Sequence, residues 1–255
     1  MGFLSHSAGL VLRVLYIAWV VVILMWFSYE GLNWFDTEKK KDGGGGVVSF
    51  NFHPLFMSFA VVVLMTEAMV SYRLYEGTYG FTHSSSKRIH GGLQMVVLSF
   101  MAIGLYLVFK NHREKGIPHL YSAHSWLGIG VTILMALQLL GGILVFFVNS
   151  SSFFRQLLSF VPRVHRHVGM ATYLLAMGVV LMGLQEKTTF LKGSPPCAAN
   201  AFCSQIVAAN ILSVLAVVIA TLAIALLVSE EGRPGMDPQE VPLLDAEARG
   251  RSTTI

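Results

Sequence analysis

The amino-acid sequence predicts an all-α membrane protein, a bundle of six transmembrane helices in which helices two to five form a central four-helix core. Of its 255 residues, 54% are hydrophobic and 13% are charged, whereas a soluble domain carries about 25% charged residues. Six segments approach the roughly 20 apolar residues that a helix needs to cross a bilayer. The net charge of +4 is spread along the chain, without the basic stripe that nucleic-acid binding requires.

The six predicted spans are separated by polar links. Residues 1–228 are predicted to form one transmembrane domain, while the mixture of Pro, Gly, Glu and Arg in residues 229–255 predicts a disordered tail. The run KKKDGGGG in the first link is interpreted as a flexible spacer. The spans are predicted at Leu10–Tyr29, Pro54–Tyr72, Gly91–Phe109, Ser125–Val148, Arg166–Leu184 and Ile206–Val228.

An even number of helices places both chain ends on the same side of the membrane. Lysines and arginines are distributed evenly between the two sets of links, so the positive-inside rule does not select an orientation. Cys197 and Cys203 share the link between helices five and six. A disulfide there would need an oxidising compartment, which favours cytosolic termini. Whether the two cysteines form that disulfide stays open from the sequence.

Four histidines lie at the N-terminal ends of consecutive predicted helices. They are His53, His90, His124 and His165, on helices two, three, four and five. Because consecutive helices run in opposite directions, His53 and His124 are expected near one membrane face, and His90 and His165 near the other. The remaining histidines fit less well: His6 and His83 lie outside the predicted spans, and His119 has no predicted partner at comparable depth.

Paired histidines on both faces predict two metal centres stacked across the bilayer. Histidine nitrogen is an axial ligand for haem iron, and a helical bundle supplies the apolar slot that a porphyrin needs. The alternative is a histidine-lined pathway for protons or metal ions. Transport of hard cations would need acidic ligands, and only Glu67 clearly lies inside a span. Spacing alone leaves both interpretations open.

Two further polar residues share a helix face with a predicted ligand. Glu67 follows His53, and Gln138 follows His124, by fourteen residues in each case. That interval is close to four helical turns, or about 21 Å. Each is therefore expected near the opposite membrane side, where it would bind haem propionates or tune the second site. An interhelical hydrogen bond is an equally good interpretation of Gln138.

Several motifs together resemble the cytochrome b561 family, from about Leu12 to Val228. They are YSAHSWLG (Tyr121–Gly128), FNFHP (Phe50–Pro54), KRIHGGLQ (Lys87–Gln94), VHRHVG (Val164–Gly169), GLQEK (Gly183–Lys187) and TEAM (Thr66–Met69). The family pattern HxxxG selects His165 over His167 as the ligand in VHRHVG.

The resemblance implies two b haems without covalent attachment in a four-helix haem-binding core. His53 and His124 would hold the non-cytosolic haem, and His90 and His165 the cytosolic one. The implied activity is electron transfer from cytosolic ascorbate to monodehydroascorbate or a ferric chelate on the other side. The resemblance also implies cytosolic termini and suggests a homodimer. The likeness to plant members favours an endomembrane such as that of the vacuole or lysosome, with the plasma membrane as the other expectation.

Cationic side chains are expected to bind the ascorbate monoanion on the cytosolic side. Lys87 matches the family's lysine before the haem histidine, and the other candidates are Arg88, Arg73, Arg155 and Arg163. On the far side, His112 matches a family histidine twelve residues before the fourth-helix ligand, and Lys110 precedes it. The alternative for the cations is that they extend from the membrane edge to water.

Overall fold

The structure, a computed structural model, describes residues 3–29, 35–36, 47–48, 50–148, 160–193, 197–200 and 202–229. Within these ranges, six helices are long and apolar enough to cross a membrane, which confirms the predicted fold class. They are α1 (Phe3–Tyr29), α2 (Phe52–Thr78), α3 (His83–Lys115), α4 (Ala123–Val148), α5 (Val161–Lys192) and α6 (Ser204–Val228). The two-residue strands β1 (Phe35–Asp36) and β2 (Val47–Val48) pair antiparallel in the first link.

Helices α3 and α5 are longer than the sequence predicts. They contain 33 and 32 residues, or about 50 Å each, which exceeds the hydrocarbon core of about 30 Å. The hydroxyl of Thr82 accepts a hydrogen bond from the backbone N–H of Ser85 at 3.2 Å and so caps the start of α3. His90 therefore lies two turns inside α3, and His83, expected outside the helices, is the first residue of α3.

The end of α3 is set by Gly116, which has φ 65°. This left-handed conformation is costly for residues with a side chain, and glycine commonly ends helices in this way. The N–H of Ile117 donates back to the carbonyl of His112 at 2.9 Å. The tight reversal turns the short α3–α4 link, with His119 and Tyr121, back over the end of the bundle.

Helix α2 is irregular along its length. It contains two π-helical stretches, Phe59–Met65 and Tyr72–Thr78, separated by the α-helical stretch Thr66–Ser71. π-Turns are rare and occur frequently at functional sites. In this chain they rotate successive parts of α2 relative to its neighbours, so that Glu67 faces α1 while the carbonyl of Ala68 faces α3.

The helices pack as a four-helix core flanked by α1 and α6. Helix α4 packs along α5, α3 packs on α2 and α4, and α1 packs on α6, which also contacts α5. Trp19, Met101 and Leu212 are fully buried between the helices. The hydroxyls of Thr66 and Tyr173 form a buried hydrogen bond of 3.0 Å between α2 and α5, which satisfies both groups where water is absent.

The outer surface of the bundle is apolar. Ile17, Leu137 and Val214 are each more than half exposed, on α1, α4 and α6. Water-soluble monomers rarely expose large contiguous apolar patches. These faces therefore fit contact with lipid, and the chain is an integral multi-pass membrane protein.

Candidate functional site

The histidines of α2 and α4 face each other across the core. The ring centroids of His53 and His124 are 6.4 Å apart, and the ring planes are nearly perpendicular at 84°. His53 is the second residue of α2, and His124 is the second residue of α4. The structure thus brings together the first of the two pairs predicted from the antiparallel order of the helices.

The histidines of α3 and α5 form the second pair. The ring centroids of His90 and His165 are 6.1 Å apart, with an interplanar angle of 74°. This pair lies beside Ala68, fifteen residues along α2 from His53, which is about 20 Å along the helix axis. The two pairs therefore lie at opposite ends of the same core.

Backbone carbonyl groups of neighbouring helices orient three of these four imidazoles. Nδ1 of His53 lies 2.9 Å from the Gly104 oxygen. Nδ1 of His90 lies 2.8 Å from the Ala68 oxygen, and Nδ1 of His124 lies 3.0 Å from the oxygen of Val179. A carbonyl oxygen accepts only, so each Nδ1 must carry the proton and donate. The lone pair is then on Nε2, as a metal ligand requires.

Gly183 makes room for the imidazole of His124. A Cβ atom at Gly183 would lie 2.7 Å from Cε1 of His124 and 3.3 Å from each ring nitrogen. Contacts below 3.0 Å do not occur between real Cβ atoms and their neighbours. The glycine in the motif GLQEK therefore allows α5 to approach the ring closely, and the carbonyl of Val179, one turn earlier on the same helix, holds that ring.

The geometry of both pairs fits a metal held inside a flat macrocycle. Metal–imidazole bonds are about 2 Å long, so two imidazoles on one metal have centroids about 6 Å apart. The measured separations, 6.4 and 6.1 Å, agree with this value. Among the described residues, no cluster of three or more His, Cys, Asp or Glu could hold a metal alone. A metal held by either pair would take its remaining ligands from a group such as a porphyrin.

A cavity extends from the His53–His124 pair to the α3–α4 link. His112 and His119 both line this cavity, and their rings stack with centroids 5.5 Å apart and planes 16° apart. The ring centroids of His119 and Phe109 are 4.9 Å apart. His119, which had no predicted partner at comparable depth, thus stacks on His112, because the turn at Gly116 folds the link back onto α3.

Sequence reasoning missed three residues of this cavity: Tyr121, Glu186 and Lys187. The hydroxyl of Tyr121 donates to Oε1 of Glu186 at 2.7 Å. Burial, together with this hydrogen bond, raises the pKa of Tyr121 to about 12, so the phenol keeps its proton at physiological pH. Lys187 places Nζ over the Phe50 ring, 5.5 Å from its centroid. Tyr121 belongs to the motif YSAHSWLG, and Glu186 and Lys187 belong to GLQEK. Only the fold shows that these side chains meet.

Lys110 lies on the same end of α3 but outside this cavity. Its Nζ is 3.9 Å from Oε1 of Glu114, one turn further along the helix, and it is absent from the residues that line the cavity. Of the two residues predicted on this side, the structure thus places His112 at the cavity and Lys110 beside Glu114.

The predicted cytosolic cations occupy different environments. Lys87 is half-buried one turn before His90, and Arg88 and Arg163 are exposed near the starts of α3 and α5. Arg73 is buried and donates to the carbonyl oxygens of Leu227, at 2.6 Å, and Ser229. The guanidinium of Arg73 thus joins α2 to the end of α6. Arg155 lies outside the described residues.

Glu67 lies against α1, away from the histidine pairs. Its Oε1 accepts from Arg13 at 2.7 Å and from the Tyr75 hydroxyl at 2.8 Å, and Arg13 also donates to the Tyr79 hydroxyl at 2.7 Å. A buried charge is tolerated when it is paired in this way. The observed partners therefore favour a helix-joining role for Glu67 over contact with a haem.

We expect Arg13→Met to destabilise the protein by about 2 kcal/mol, because Glu67 would keep a negative charge in an apolar region without its partner. Thermal unfolding in detergent measures the loss. The double variant Arg13→Met with Glu67→Gln removes both charges and should recover most of the stability. Equal destabilisation of the single and double variants would contradict the charge-pair explanation.

Gln138 lies close to the second pair. A Cβ atom at Gly169 would be 3.8 Å from Oε1 of Gln138, and Gly169 is one turn after His165. Oε1 of Gln138 is buried and has no hydrogen-bond partner among the described residues, as is the case for Oε1 of Gln94, one turn after His90. Buried unpaired polar atoms at this place fit a site whose polar ligand the chain itself does not supply.

The fold and the site define a multi-pass α-helical membrane protein whose central four helices carry two facing pairs of histidines. The chain belongs to the eukaryotic cytochrome b561 family, whose model matches residues 52–191. This range contains both histidine pairs. Membership of the family implies haem b as the cofactor, in agreement with the residues present.

Curated relatives of the chain come from plants and animals. It is 33% identical to the transmembrane ascorbate ferrireductase 1 of Arabidopsis thaliana, over 74% of this chain and 72% of the relative. It is 34% identical to the transmembrane ascorbate-dependent reductase CYB561 of Sus scrofa, over 77% of this chain and 75% of the relative. The chain is also 33% identical to the probable ascorbate-specific transmembrane electron transporter 2 of Oryza sativa subsp. japonica, over 72% of this chain and 74% of the relative.

Proposed function

We propose that the chain transfers single electrons across a membrane, from cytosolic ascorbate through two b haems to an acceptor on the other side. Its relatives are named as ascorbate-dependent reductases and electron transporters. The observation that carries the proposal is the pair of facing imidazoles at each end of one core, 6.4 and 6.1 Å apart. A transporter is not supported, since none of these relatives is named as a carrier of ions.

In this proposal, His53 and His124 ligate the non-cytosolic haem, and His90 and His165 ligate the cytosolic haem. Haem iron supplies the one-electron chemistry when it is bound. The protein orients the imidazoles through the carbonyl groups of Gly104, Ala68 and Val179. Gln138, whose Oε1 would lie 3.8 Å from a Cβ atom at Gly169, one turn after His165, would be available to the cytosolic haem.

The proposed ascorbate site lies on the cytosolic side, at Lys87, Arg88 and Arg163. These side chains stand within the first two turns of α3 and α5, close to the His90–His165 pair, and positive charge attracts the ascorbate monoanion. Arg155 belongs to the same link and stays a prediction. We leave Arg73 out of this site, because its guanidinium donates to backbone oxygens at the end of α6.

Lys87→Ala is expected to raise the ascorbate concentration for half-maximal haem reduction about tenfold, equivalent to one charge-assisted hydrogen bond. Both haems should remain, because Lys87 is not a proposed ligand. Stopped-flow reduction at several ascorbate concentrations measures the change. Arg166→Ala, an exposed cation beside His165, is the matched control and should leave the concentration dependence near that of the parent. Equal behaviour of both variants would remove Lys87 from the site.

The proposed acceptor site is the cavity at the His53–His124 end. His112 and Tyr121 offer hydrogen-bond groups there, and Lys187 adds a positive charge. These groups suit an anionic acceptor such as monodehydroascorbate or a ferric chelate. Electrons would leave the chain at this end.

The disulfide between Cys197 and Cys203 supports the proposed orientation. The Cα atoms are 5.4 Å apart, and the bridge lies in the link between α5 and α6, at the same end as the His53–His124 pair. Disulfides persist in oxidising compartments. We therefore propose cytosolic termini and an endomembrane such as that of the vacuole or lysosome, or the plasma membrane. A homodimer is proposed from the family resemblance, and the proposed tail, 229–255, lies almost wholly outside the described residues.

Oriented proteoliposomes test the proposed function. Ascorbate is added on the side of the chain termini, and ferricyanide or a ferric chelate is enclosed on the other side. We expect a two-haem absorption spectrum, its reduction by ascorbate, and reoxidation only while the enclosed acceptor lasts. Purified protein without haem absorption, prepared with ample haem, would overturn the proposal.

A further inference from the structure

A carboxylate and a histidine form a dyad at the cytosolic end of the core, outside the proposed haem and ascorbate residues. Nδ1 of His83 lies 3.0 Å from Oε2 of Glu76. The imidazole side chain is 62% exposed, while the Glu76 side chain is 17% exposed. The dyad therefore has one partner held by the protein and one that a dissolved molecule can reach.

The carboxylate determines which nitrogen of His83 can act as a base. An ionised carboxylate accepts only, so Nδ1 carries the proton that it donates to Glu76. Nε2 is then the nitrogen with the free lone pair. A carboxylate that orients an imidazole and stabilises its protonated form is the arrangement that enzymes use for a general base.

One aromatic ring connects this dyad to the second histidine pair. The ring of Tyr72 lies 5.6 Å from the His83 ring and 5.5 Å from the His90 ring, between centroids. The second π-helical stretch of α2, Tyr72–Thr78, carries both Tyr72 and Glu76 toward the start of α3. The irregular helix α2 thus places Tyr72 between the exposed imidazole of His83 and the proposed haem ligand His90.

We infer that His83, held by Glu76, is the base that removes the proton from ascorbate when ascorbate gives up its electron. This inference rests on the proposed function and adds a residue to it. Nε2 of His83 takes the proton of the ascorbate monoanion, and the haem would, when bound, take up the electron; the monodehydroascorbate radical anion is left. The imidazolium, stabilised by Glu76, then releases its proton to cytosolic water.

The groups around His83 define the expected pH dependence. Glu76 and Tyr72 face it from α2, and Lys87 stands one turn further along α3, on the same helix face. A base acts in its neutral form, so a protonated His83 could not accept the ascorbate proton. The rate of haem reduction by ascorbate should therefore rise with pH in the parent protein.

Stopped-flow reduction of the complete, haem-loaded protein tests the inference. Because a positioned base contributes about 100-fold or more, His83→Ala should lower the maximal ascorbate rate at pH 7.5 by about that factor and flatten the pH profile. Added imidazole should restore part of the rate. Reduction by dithionite, which has no proton to lose, should stay unchanged, as should the haem content. Glu76→Gln should show a smaller loss.

His167→Ala is the matched control, because His167 is an exposed histidine on the same membrane side whose Nδ1 donates to its own helix, at Arg163. It should retain the parent rate and pH profile. A His83→Ala protein with the parent's rate and profile would overturn the inference while leaving the proposed function intact. A parent protein that ascorbate does not reduce would instead overturn the proposed function.

Discussion

Changing His165 to alanine is expected to lower the haem content from about two to about one per chain, since the proposed haem would lose one of its two axial ligands and keep only His90. The remaining haem is the one between His53 and His124, whose separate pair is untouched. The pyridine haemochrome assay measures the content. Because the lost haem is the one proposed to accept electrons from ascorbate, reduction by ascorbate should also fall by at least tenfold.

His167→Ala is the control for this experiment. His167 lies two residues further along α5, is exposed, and donates from Nδ1 to the Arg163 carbonyl at 2.8 Å. It should keep both haems. The comparison separates two neighbouring histidines of one motif, VHRHVG, of which only His165 faces His90. Loss of haem from His167→Ala but not from His165→Ala would reverse the assignment.

The helices and the histidine pairs were accessible to sequence reasoning because both depend on simple periodic constraints. A run of apolar residues must cross the bilayer as a helix, and antiparallel neighbours bring alternate helix starts to the same face. His53 and His124 were therefore expected near the same membrane face, and the structure places their rings 6.4 Å apart between centroids. The start of α3 was harder to predict, since the residues before Gly91 are polar and continue the helix outside the membrane.

The partners of the histidines could not be predicted in the same way. Three imidazoles are oriented by backbone carbonyls, and every residue type carries a carbonyl, so Ala68 and Val179 have no signature in the sequence. The same limit applies to Arg73, whose acceptors are carbonyls at the end of α6. Its charge suggested a substrate site, but a π-helical stretch of α2 directs it toward α6.

The ion pair between α1 and α2 could not be predicted from the sequence either. Glu67 shares a helix face with His53 only if α2 is regular, and the π-helical stretch Phe59–Met65 removes that regularity. Glu67 instead meets Arg13. The irregularity of α2 explains why Glu67 does not share a helix face with His53. It also places Tyr72 and Glu76 beside His83. Single π-turns have no reliable sequence signature, so these features required the fold.

Gly183→Ala is expected to remove the haem held by His53 and His124 by displacing one ligand. The new methyl carbon would lie 2.7 Å from Cε1 of His124, so the ring has to move by several tenths of an ångström. The ring cannot move freely, because Nδ1 is bonded to the Val179 carbonyl. We expect the haem content to fall from about two toward about one, with the remaining haem still reduced by ascorbate.

The matched control is Gly178→Ala, on the same helix. A Cβ atom at Gly178 would meet no described atom within 4 Å, and alanine favours a helix over glycine by about 1 kcal/mol. Gly178→Ala should therefore keep both haems and unfold at a slightly higher temperature. Retention of ascorbate reduction in Gly183→Ala shows that the chain still folds, so loss of one haem then reflects the displaced imidazole. Two intact haems in Gly183→Ala would mean that α5 moves away from His124 at little cost.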